Sequence, residues 1–522
     1  MSDTENLRDK FKRPLERPGA GPAAPAKRAE AQLPVPIAQP APTGDEAAAG
    51  GGGLARLLGA IGRMLAPKPP VKDQPAADAA ESPVFTALVA HLGNDTDGAG
   101  FAHLFASLEG RLPFKLKSLG RAFALDNLED PAAVASLVTN TRQVAANDKV
   151  DLLIWGDMVK EGYRLRFASA ASPDEDRPGV FGPSTRLELP RDFGEPAATL
   201  LLAAAIAAAE TSNEAQKGAV RRLLPPLAAQ VEGLSTKPPL SMSMPQQRSL
   251  QLVFGHVAAV TALSVPPSQA GLWFDKAIAS YRAALKRISR VDPTWETGLI
   301  HKHVAAVLTA QAEAAKEPAP QLKEAVAEWR SAAENLARAT MPQEWASAQI
   351  RLGNALYRLD LVTGDIDLLR EALQTLQGAL QVYSRTETPQ KWAAIMHDIA
   401  LVLEVYGDQL KSPEVLKRSV ETCESVLQVF TRERAPQSWA AAQNTLGSAL
   451  FLLDKHSDGT ANLDAAATAF QQALDVFRSV GAKKQAQVAA RNLGHVNKLA
   501  EDRRGRQIVD PGWVDKPPPK RR

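Results

Sequence analysis

The sequence predicts an α+β multidomain protein, in which a small mixed α/β domain precedes an all-α array of helical repeats and both tails are disordered. Three observations support this class. The length of 522 residues exceeds that of a chain with one hydrophobic core. Strand-like and helix-like segments alternate from residue 83 to 195, and strand signals then cease. A pattern of proline, tryptophan and leucine then returns every 47 residues.

The composition indicates a helix-rich chain, because alanine is abundant and only 5% of the residues are aromatic. The charge is balanced. Apolar residues make up 45%, charged residues 23%, and the net charge is +3, which argues against a nucleic-acid-binding surface over the whole molecule. The single cysteine, Cys423, excludes an intramolecular disulfide and is expected to pack in a core. The longest apolar run, Ala198 to Ala209, is shorter than the ~20 residues of a spanning helix, and no secretory signal begins the chain. We therefore expect a cytoplasmic protein.

Residues 1–82 predict a disordered arm, because they are rich in proline, alanine and glycine and can bury little apolar surface. A short amphipathic helix is predicted within the arm at 54–66. It could lie on the inner face of the membrane through the segment Leu54–Leu65, dock in a groove of a partner or of this chain, or bind nothing. Its apolar face would consist of Leu54, Leu57, Leu58, Ile61 and Leu65.

The segment 83–195 predicts the small α/β domain. "PVFTALVAHL" is typical of a buried strand, and "GAGFAHLFASLEGRL" and "DPAAVASLVTNTRQVAAND" are typical of helices. "DLLIWGDMVKEGYRLRFASA" predicts two strands joined at Glu161-Gly162. This order, and the phrase "DLLIWGDMVKEGYRLRF" in particular, resembles the TolB amino-terminal-like domains that precede helical repeats in some bacterial proteins. The resemblance implies an interaction or ligand-sensing domain and brings no catalytic residues.

A helical linker is predicted at 196–240 and helical repeats at 241–502. Each repeat has two helices, and the apolar positions of both helices follow the 47-residue period. Glycine or alanine recurs where two helices should approach closely, at Gly353, Ala400 and Gly447. The register is marked by Pro342, Pro389 and Pro436, by Trp345, Trp392 and Trp439, by Leu352, Ile399 and Leu446, and by Leu369, Leu416 and Leu463.

The spacing Gln349-x-x-Leu352-Gly353-x-x-Leu356, followed by Ala372-x-x-x-Leu376-x-x-Ala379, resembles the tetratricopeptide repeat. The period of 47 residues departs from that family's 34. Weaker copies precede these units, and Leu493 and Gly494 indicate a terminal capping helix. The resemblance implies a scaffold whose first helices line a concave groove for a protein or peptide partner. The expected groove residues are Lys302, Asn354, Tyr357, Arg358, His397, Asn444 and Ser448.

No motif for catalysis, a cofactor or a metal is visible. The sequence lacks a phosphate loop, a nucleophile elbow and a zinc-protease motif, so we expect no enzyme. The histidines are expected at the surface or in the groove, and His301 and His303 should diverge on one helix. Asp95 and Asp97 would form either a turn or a carboxylate site.

Two alternatives to a plain scaffold remain open. In one, the α/β domain binds a small molecule or hydrolyses a substrate under control of the repeats. The strand-end residues for that activity would be Asp95, Asp97, Trp155 and Asp157. In the other, the scaffold is attached to the membrane through the amino-terminal arm.

The tail 503–522 is basic, with a net charge of +5, and could contact nucleic acid or anionic lipid or be merely solvated. No specific nucleic-acid partner is predicted from it. Trp513 is the unusual residue there, since a large aromatic side chain in a polar tail is expected to pack on the last helices or anchor a partner.

Overall fold

The computed structural model describes residues 84–509, except 112, 126, 172–176 and 458, and leaves out the side chains of 506–509. The arm 1–82 with its predicted helix 54–66 therefore lies outside the described residues, as does Trp513. The chain divides into two compact units between Ala355 and Leu356. Each unit is described separately below.

The first unit contains one five-stranded mixed sheet in the order β2-β1-β3-β4-β5. Strand β1 pairs in parallel with β2 and β3, and β4 pairs antiparallel with β3 and β5. The predicted hairpin is confirmed, but its tight turn is at Lys160-Glu161, one residue before the predicted junction, and Gly162 already belongs to β4. The strands are β1 (Phe85–Ala90), β2 (Phe114–Leu119), β3 (Leu152–Val159), β4 (Gly162–Ser169) and β5 (Leu187–Pro190).

Strands β2 and β5, absent from the sequence-based prediction, are both edge strands. In β2 lysines alternate with apolar residues, a composition that protects an exposed edge and weakens the apolar signal. Strand β5 has only four residues, which is too short for a period of two to be recognised. These two strands complete the mixed sheet that the sequence predicted from its three inner strands.

Helices cover both faces of the sheet. Helix α2 packs on β3 and β4, where Leu137 and Ala145 join Leu153 and Trp155 in one apolar core. Helix α3 packs on the same two strands and contacts α1, and the hydroxyl of Tyr163 donates to the carbonyl of Gly100 on this other face. The helices are α1 (Ala99–Leu108), α2 (Pro131–Asn147) and α3 (Glu195–Ala208).

The segment 196–240, predicted as a helical linker, forms most of α3 and all of α4. Helix α3 is alanine- and leucine-rich and is buried on nearly every side, so the longest apolar run of the chain is a core element. From α4 onward, each helix packs against its neighbours in sequence as far as α8. These helices are α4 (Glu214–Thr236), α5 (Met244–Ser264), α6 (Pro267–Leu285), α7 (Thr294–Ala314) and α8 (Ala319–Asn335).

The 47-residue register predicts where the first helices of the three central repeats begin. They begin at Pro342, Pro389 and Pro436, where the missing N–H of proline is tolerated because the first turn has no partner for it. The unit division falls inside the first of them. The helices are α9 (Pro342–Thr363), α10 (Ile366–Ala379), α11 (Pro389–Leu410), α12 (Pro413–Leu427), α13 (Pro436–Asp454), α14 (Ala461–Ser479) and α15 (Lys483–Val509).

The second unit is held together by packing between consecutive helix pairs. A β-carbon added at Gly447 would lie 2.9 Å from the buried ring of Phe470, which explains the glycine as a point of close helix approach. Cys423 is fully buried, as expected for a core position. Helix α15 continues to Val509, past the predicted end of the array at residue 502. The fold class predicted from the sequence is confirmed.

Candidate partner-binding site on the repeat helices

Polar contacts join successive first helices in residues 356–509 at the same level of each repeat. Asp360 on α9 accepts two hydrogen bonds from the amide of Gln409 on α11, at 2.9 and 3.2 Å. Lys455 contacts Asp408 at 2.8 Å. The next contact joins Asp454 on α13, 2% exposed, to Arg503 on α15 at 2.7 Å. We name these three contacts the repeat rungs.

Two of the predicted groove residues belong to the first unit. Lys302 on α7 is nearly buried, at 6% exposed, and its Nζ contacts Glu344 on α9 at 2.6 Å. Its charge is therefore already paired within the unit, and its stem is packed. Asn354 on α9 is half-buried and engaged in an interaction with its surroundings.

Tyr357 and Arg358 follow on the same helix, in the second unit. Tyr357 is 5% exposed and its hydroxyl has no hydrogen-bond partner among the described residues. Burial first, and the neighbouring carboxylates Glu404 and Asp398 next, raise the pKa of Tyr357 well above its usual value. Arg358 is half-buried and interacts with its surroundings.

The remaining predicted residues lie on α11 and α13, which pack against each other. His397 is half-buried and its Nε2 lies 2.9 Å from the hydroxyl of Thr445, and burial lowers the pKa of this histidine. Asn444 is 8% exposed, and its Oδ1 has no hydrogen-bond partner in the described part of the chain. Ser448, one turn further along α13, is half-buried. The structure thus brings His397 and Asn444 to adjacent helices.

A buried acid next to these residues was missed from the sequence. Glu404 on α11 is 4% exposed, and burial, with a smaller contribution from Asp408, raises its pKa to about 8. No hydrogen bond or ion pair engages Glu404 within the described residues. The signal for it was in the register, since the equivalent positions 47 residues away hold Tyr357 and Phe451. A carboxyl group at a position occupied by aromatic rings in neighbouring copies is expected to be buried.

Asp95 and Asp97, proposed as either turn residues or a site, act in the structure as turn residues. Asp95 accepts hydrogen bonds from the backbone N–H groups of Gly100 and Phe101 at 3.1 and 2.7 Å. Asp97 accepts one from Ala99 at 3.1 Å. Both carboxylates therefore satisfy the first turn of α1, whose N–H groups have no partner within the helix.

Trp155 and Asp157 lie on β3, at a distance from that turn in sequence but joined to it by the sheet. Gly93 bridges to Asp157, and a β-carbon at Gly93 would lie 2.3 Å from the Asp157 carboxylate. Trp155 is 2% exposed and stacks with the guanidinium of Arg166 on β4. The strand-end cluster therefore separates into a helix-capping pair and a tryptophan–arginine–aspartate group.

The prediction of surface or groove histidines is wrong for His256 and His303, which are buried. Their rings meet at 4.4 Å between centroids, and Tyr281 packs on both. Burial lowers the pKa of His303 to about 3. The divergence of His301 from His303 is confirmed, because His301 instead contacts Glu328 on α8. Both histidines stand in continuous apolar runs, "VFGHVAAV" and "HVAAVL", which were the available signal for a core position.

Neither a metal site nor a membrane span is found in the described residues. No group of three or more histidine, cysteine or acidic side chains is placed to hold an ion. Across the described helices, none combines the length and apolar character needed to traverse a bilayer.

Comparison with known proteins gives no family for the chain. No protein-family model matches it, and no curated protein matches it. Among solved structures, the apo form of RapI is 12% identical, with 62% of this chain and 90% of that chain covered and a TM-score of 0.31. Yeast Tom70 is 13% identical, covering 74% and 77%, with a TM-score of 0.22. A Rap protein complexed with competence and sporulation factor has a TM-score of 0.17. At such TM-scores these likenesses carry no conclusion about function.

Proposed function

We propose that this protein is a non-enzymatic interaction scaffold that binds a protein or peptide partner on the first helices of its repeats. The observation that supports this most directly is the contrast between recurring and varying positions of those helices. Leu352, Ile399 and Leu446 keep an apolar side chain at each copy. Stacking of the repeats explains such positions completely.

Neighbouring positions vary in chemistry from copy to copy. At one level the three copies carry Ile350, His397 and Asn444, and at another they carry Asn354, Leu401 and Ser448. Packing between repeats does not by itself require a different type of side chain at the equivalent position of each copy. The variation is what a surface adapted to one specific partner needs, because specificity depends on differences between sites.

Asn444 provides a hydrogen-bond acceptor for the proposed partner. Its Oδ1 is a buried acceptor without a hydrogen-bond partner among the described residues, and an unpaired buried acceptor costs about 1–3 kcal/mol. The backbone N–H of a bound peptide would remove this cost. His397, held by Thr445 at 2.9 Å, borders the same position from the adjacent helix.

The other parts of the chain have proposed roles that follow from the sequence. The α/β domain would be an interaction or ligand-sensing module, as the resemblance to TolB amino-terminal-like domains implies. We propose a cytoplasmic location, and attachment to the inner membrane face through Leu54–Leu65 is the alternative to a plain scaffold. Flotation of the full chain on vesicles rich in anionic lipid, compared with a variant carrying Leu57→Glu and Ile61→Glu, tests the membrane contact. Equal flotation of the two proteins would contradict it.

Site-specific photocrosslinking tests the proposed partner surface. A photoreactive amino acid is placed at Ser448 on first helix α13, and in a matched variant at Gln472, an exposed position of second helix α14. We expect the full chain labelled at Ser448 to form a discrete crosslinked species in cells, which Asn444→Ala weakens. The variant labelled at Gln472 should not form this species.

The opposite pattern would contradict the proposal. A species formed equally from both positions would indicate collision with abundant proteins, and one formed only from Gln472 would place the partner on the second helices. Retention of the Ser448 species in Asn444→Ala at full intensity would remove Asn444 from the site. Circular dichroism of each variant controls for folding.

A further inference from the structure

The tryptophan–arginine–aspartate group on the sheet contains unused hydrogen-bond donors. Trp155 and Arg166 are directly opposite each other on β3 and β4, so their side chains share one face of the sheet. Asp157 and Arg164 form the next pair of opposite residues on that face, because side chains alternate along a strand. Glu188 on β5 lies opposite Arg164. We name this face between Trp155 and Glu188 the arginine face.

Arg166 is almost completely buried without a hydrogen bond. The side chain is 4% exposed, and Nε and Nη1 have no hydrogen-bond partner among the described residues. Its one ion pair, to Asp157, is loose at 3.8 Å. The indole Nε1–H of Trp155, which is 2% exposed, is also without a partner there. Buried donors in folded proteins are nearly always paired, so this arrangement requires an explanation.

The charged neighbours cannot supply the missing acceptors, because they pair with one another. Glu188 accepts from Arg164 at 3.3 Å and from Arg186 at 2.8 Å. Arg186 also contacts Glu296 on α7 at 2.7 Å. Glu296 in turn contacts Arg248 on α5 at 2.7 Å. The network therefore fixes the strands and helices around Arg166 and leaves its guanidinium with the long contact to Asp157 alone.

We propose that the arginine face binds a small carboxylate, which accepts hydrogen bonds from the Arg166 guanidinium and the Trp155 indole N–H. A planar carboxylate matches the fork of N–H donors that a guanidinium presents. Solvent reaches the same face at Asp157 and Arg186, whose side chains are 17% and 18% exposed. The ring of Trp155 gives the ligand an apolar wall beside its charged end.

The charge distribution favours a carboxylate over a phosphate or sulfate. Asp157 already places one negative charge 3.8 Å from Nη1, and Glu188 lies close enough to influence Arg166 electrostatically. Arg186 and Arg164 add two positive charges, so Arg164, Arg166, Arg186, Asp157 and Glu188 together carry a net charge of +1, which one carboxylate neutralises. A monoanion therefore gains the Arg166 contact at a smaller electrostatic cost than a dianion.

Saturation-transfer NMR on the full chain tests the site with acetate as the probe. We expect transfer to the acetate methyl protons in the wild type and at least a tenfold weaker affinity in Arg166→Met, which keeps the apolar stem. Trp155→Phe should weaken binding less, because it removes the N–H and keeps an aromatic ring. Arg222→Met, which removes one exposed positive charge from α4, is the matched control and should bind as the wild type does.

Several outcomes would overturn the proposal. Equal transfer in Arg166→Met and the wild type would show adventitious binding. Displacement of acetate by phosphate or sulfate at equal concentration would contradict the preference for a monoanion. If Arg166→Met does not fold, Arg166→Lys keeps the charge and loses the fork, and unchanged acetate affinity in that variant would exclude the site.

The chain's own acids provide a further control. Asp174, Glu175 and Asp176 follow β4 closely in the sequence. A variant with Asp174→Asn, Glu175→Gln and Asp176→Asn should bind acetate as the wild type does. Acetate binding that appears only in this variant would show that these carboxylates occupy the arginine face, and would overturn a site for an external ligand.

Discussion

Glu404 makes the stability of the second unit depend on pH between its unfolded pKa of 4.5 and its folded pKa of about 8. The side chain is 4% exposed and lacks a hydrogen bond or ion pair in the described part of the chain, so burial raises its pKa from 4.5 to about 8. The folded protein therefore holds a proton on Glu404 that the unfolded chain releases near pH 4.5. Stability from this group is complete below the unfolded pKa and is lost as the pH rises towards about 8.

The loss of stability due to Glu404 depends on the pH interval over which it is measured. Each unit of pH between the two pKa values changes the free energy of unfolding by about 1.4 kcal/mol. From about pH 6.5 to about pH 8, the loss attributable to Glu404 is therefore about 2 kcal/mol. Asp360, whose pKa is raised to about 6, has lost most of its contribution below this range. The buried His303, whose pKa is lowered to about 3, adds stability as the pH rises through its unfolded value of about 6.5, and this effect is the same in the wild type and in a Glu404 variant.

Urea unfolding at the two pH values, followed by circular dichroism, measures the effect in the full chain. We expect Glu404→Gln, which is neutral and nearly the same shape, to lose about 2 kcal/mol less than the wild type on going from the lower to the higher pH. Glu424→Gln, at an exposed position of the same repeat, should behave as the wild type. The same pH dependence in Glu404→Gln as in the wild type would refute the assignment of a buried protonated carboxyl.

Three further predictions concern packing and capping. Gly447→Ala should lower the free energy of unfolding by about 1–3 kcal/mol in urea titrations, because its methyl group would overlap the buried ring of Phe470. Asp454→Asn should cost about 1–3 kcal/mol, and a double-mutant cycle with Arg503→Met should show coupling of at least about 1 kcal/mol. Asp95→Ala should cost about 1–2 kcal/mol through loss of two N–H contacts at the start of α1, measured by thermal unfolding.

Specific results would contradict each of these predictions. An unchanged or increased stability of Gly447→Ala would mean that α13 and α14 can separate without cost. Additive effects of Asp454→Asn and Arg503→Met would show that the two side chains do not act as a pair. Equal losses in Asp95→Ala and Asp97→Ala would contradict the assignment of two helix N–H groups to Asp95 and one to Asp97.

The repeat register could be predicted from the sequence because it depends on contacts that every copy makes. Pro342, Pro389 and Pro436 each begin a helix, and the apolar positions that follow them recur at the same spacing in each copy. Strands β2 and β5 were not predicted, since an edge strand makes contacts on one side and needs fewer apolar residues. The burial of α3 was hidden because an apolar run has the same appearance in a core and in a connecting helix.

The polar groups were harder to predict because their partners are far away in sequence. Lys302 is paired with Glu344, and the arginine face assembles residues of three strands. Composition gave no information on either arrangement. The alternation in "YRLRF" places Arg164 and Arg166 on one face of a strand, and this was the one local signal for the arginine face.

The repeat rungs have a consequence for how such an array can grow. Asp360 and Asp454 are 94 positions apart, as are their partners Gln409 and Arg503, whereas the intermediate copy carries Gly407 and His456 at the equivalent positions. The intermediate copy instead forms its rung one residue away, through Asp408 and Lys455. Removing one 47-residue copy would place mismatched side chains at a junction, while removing two would set Asp360 against Arg503. The module that can be exchanged without loss of these contacts is therefore a pair of repeats.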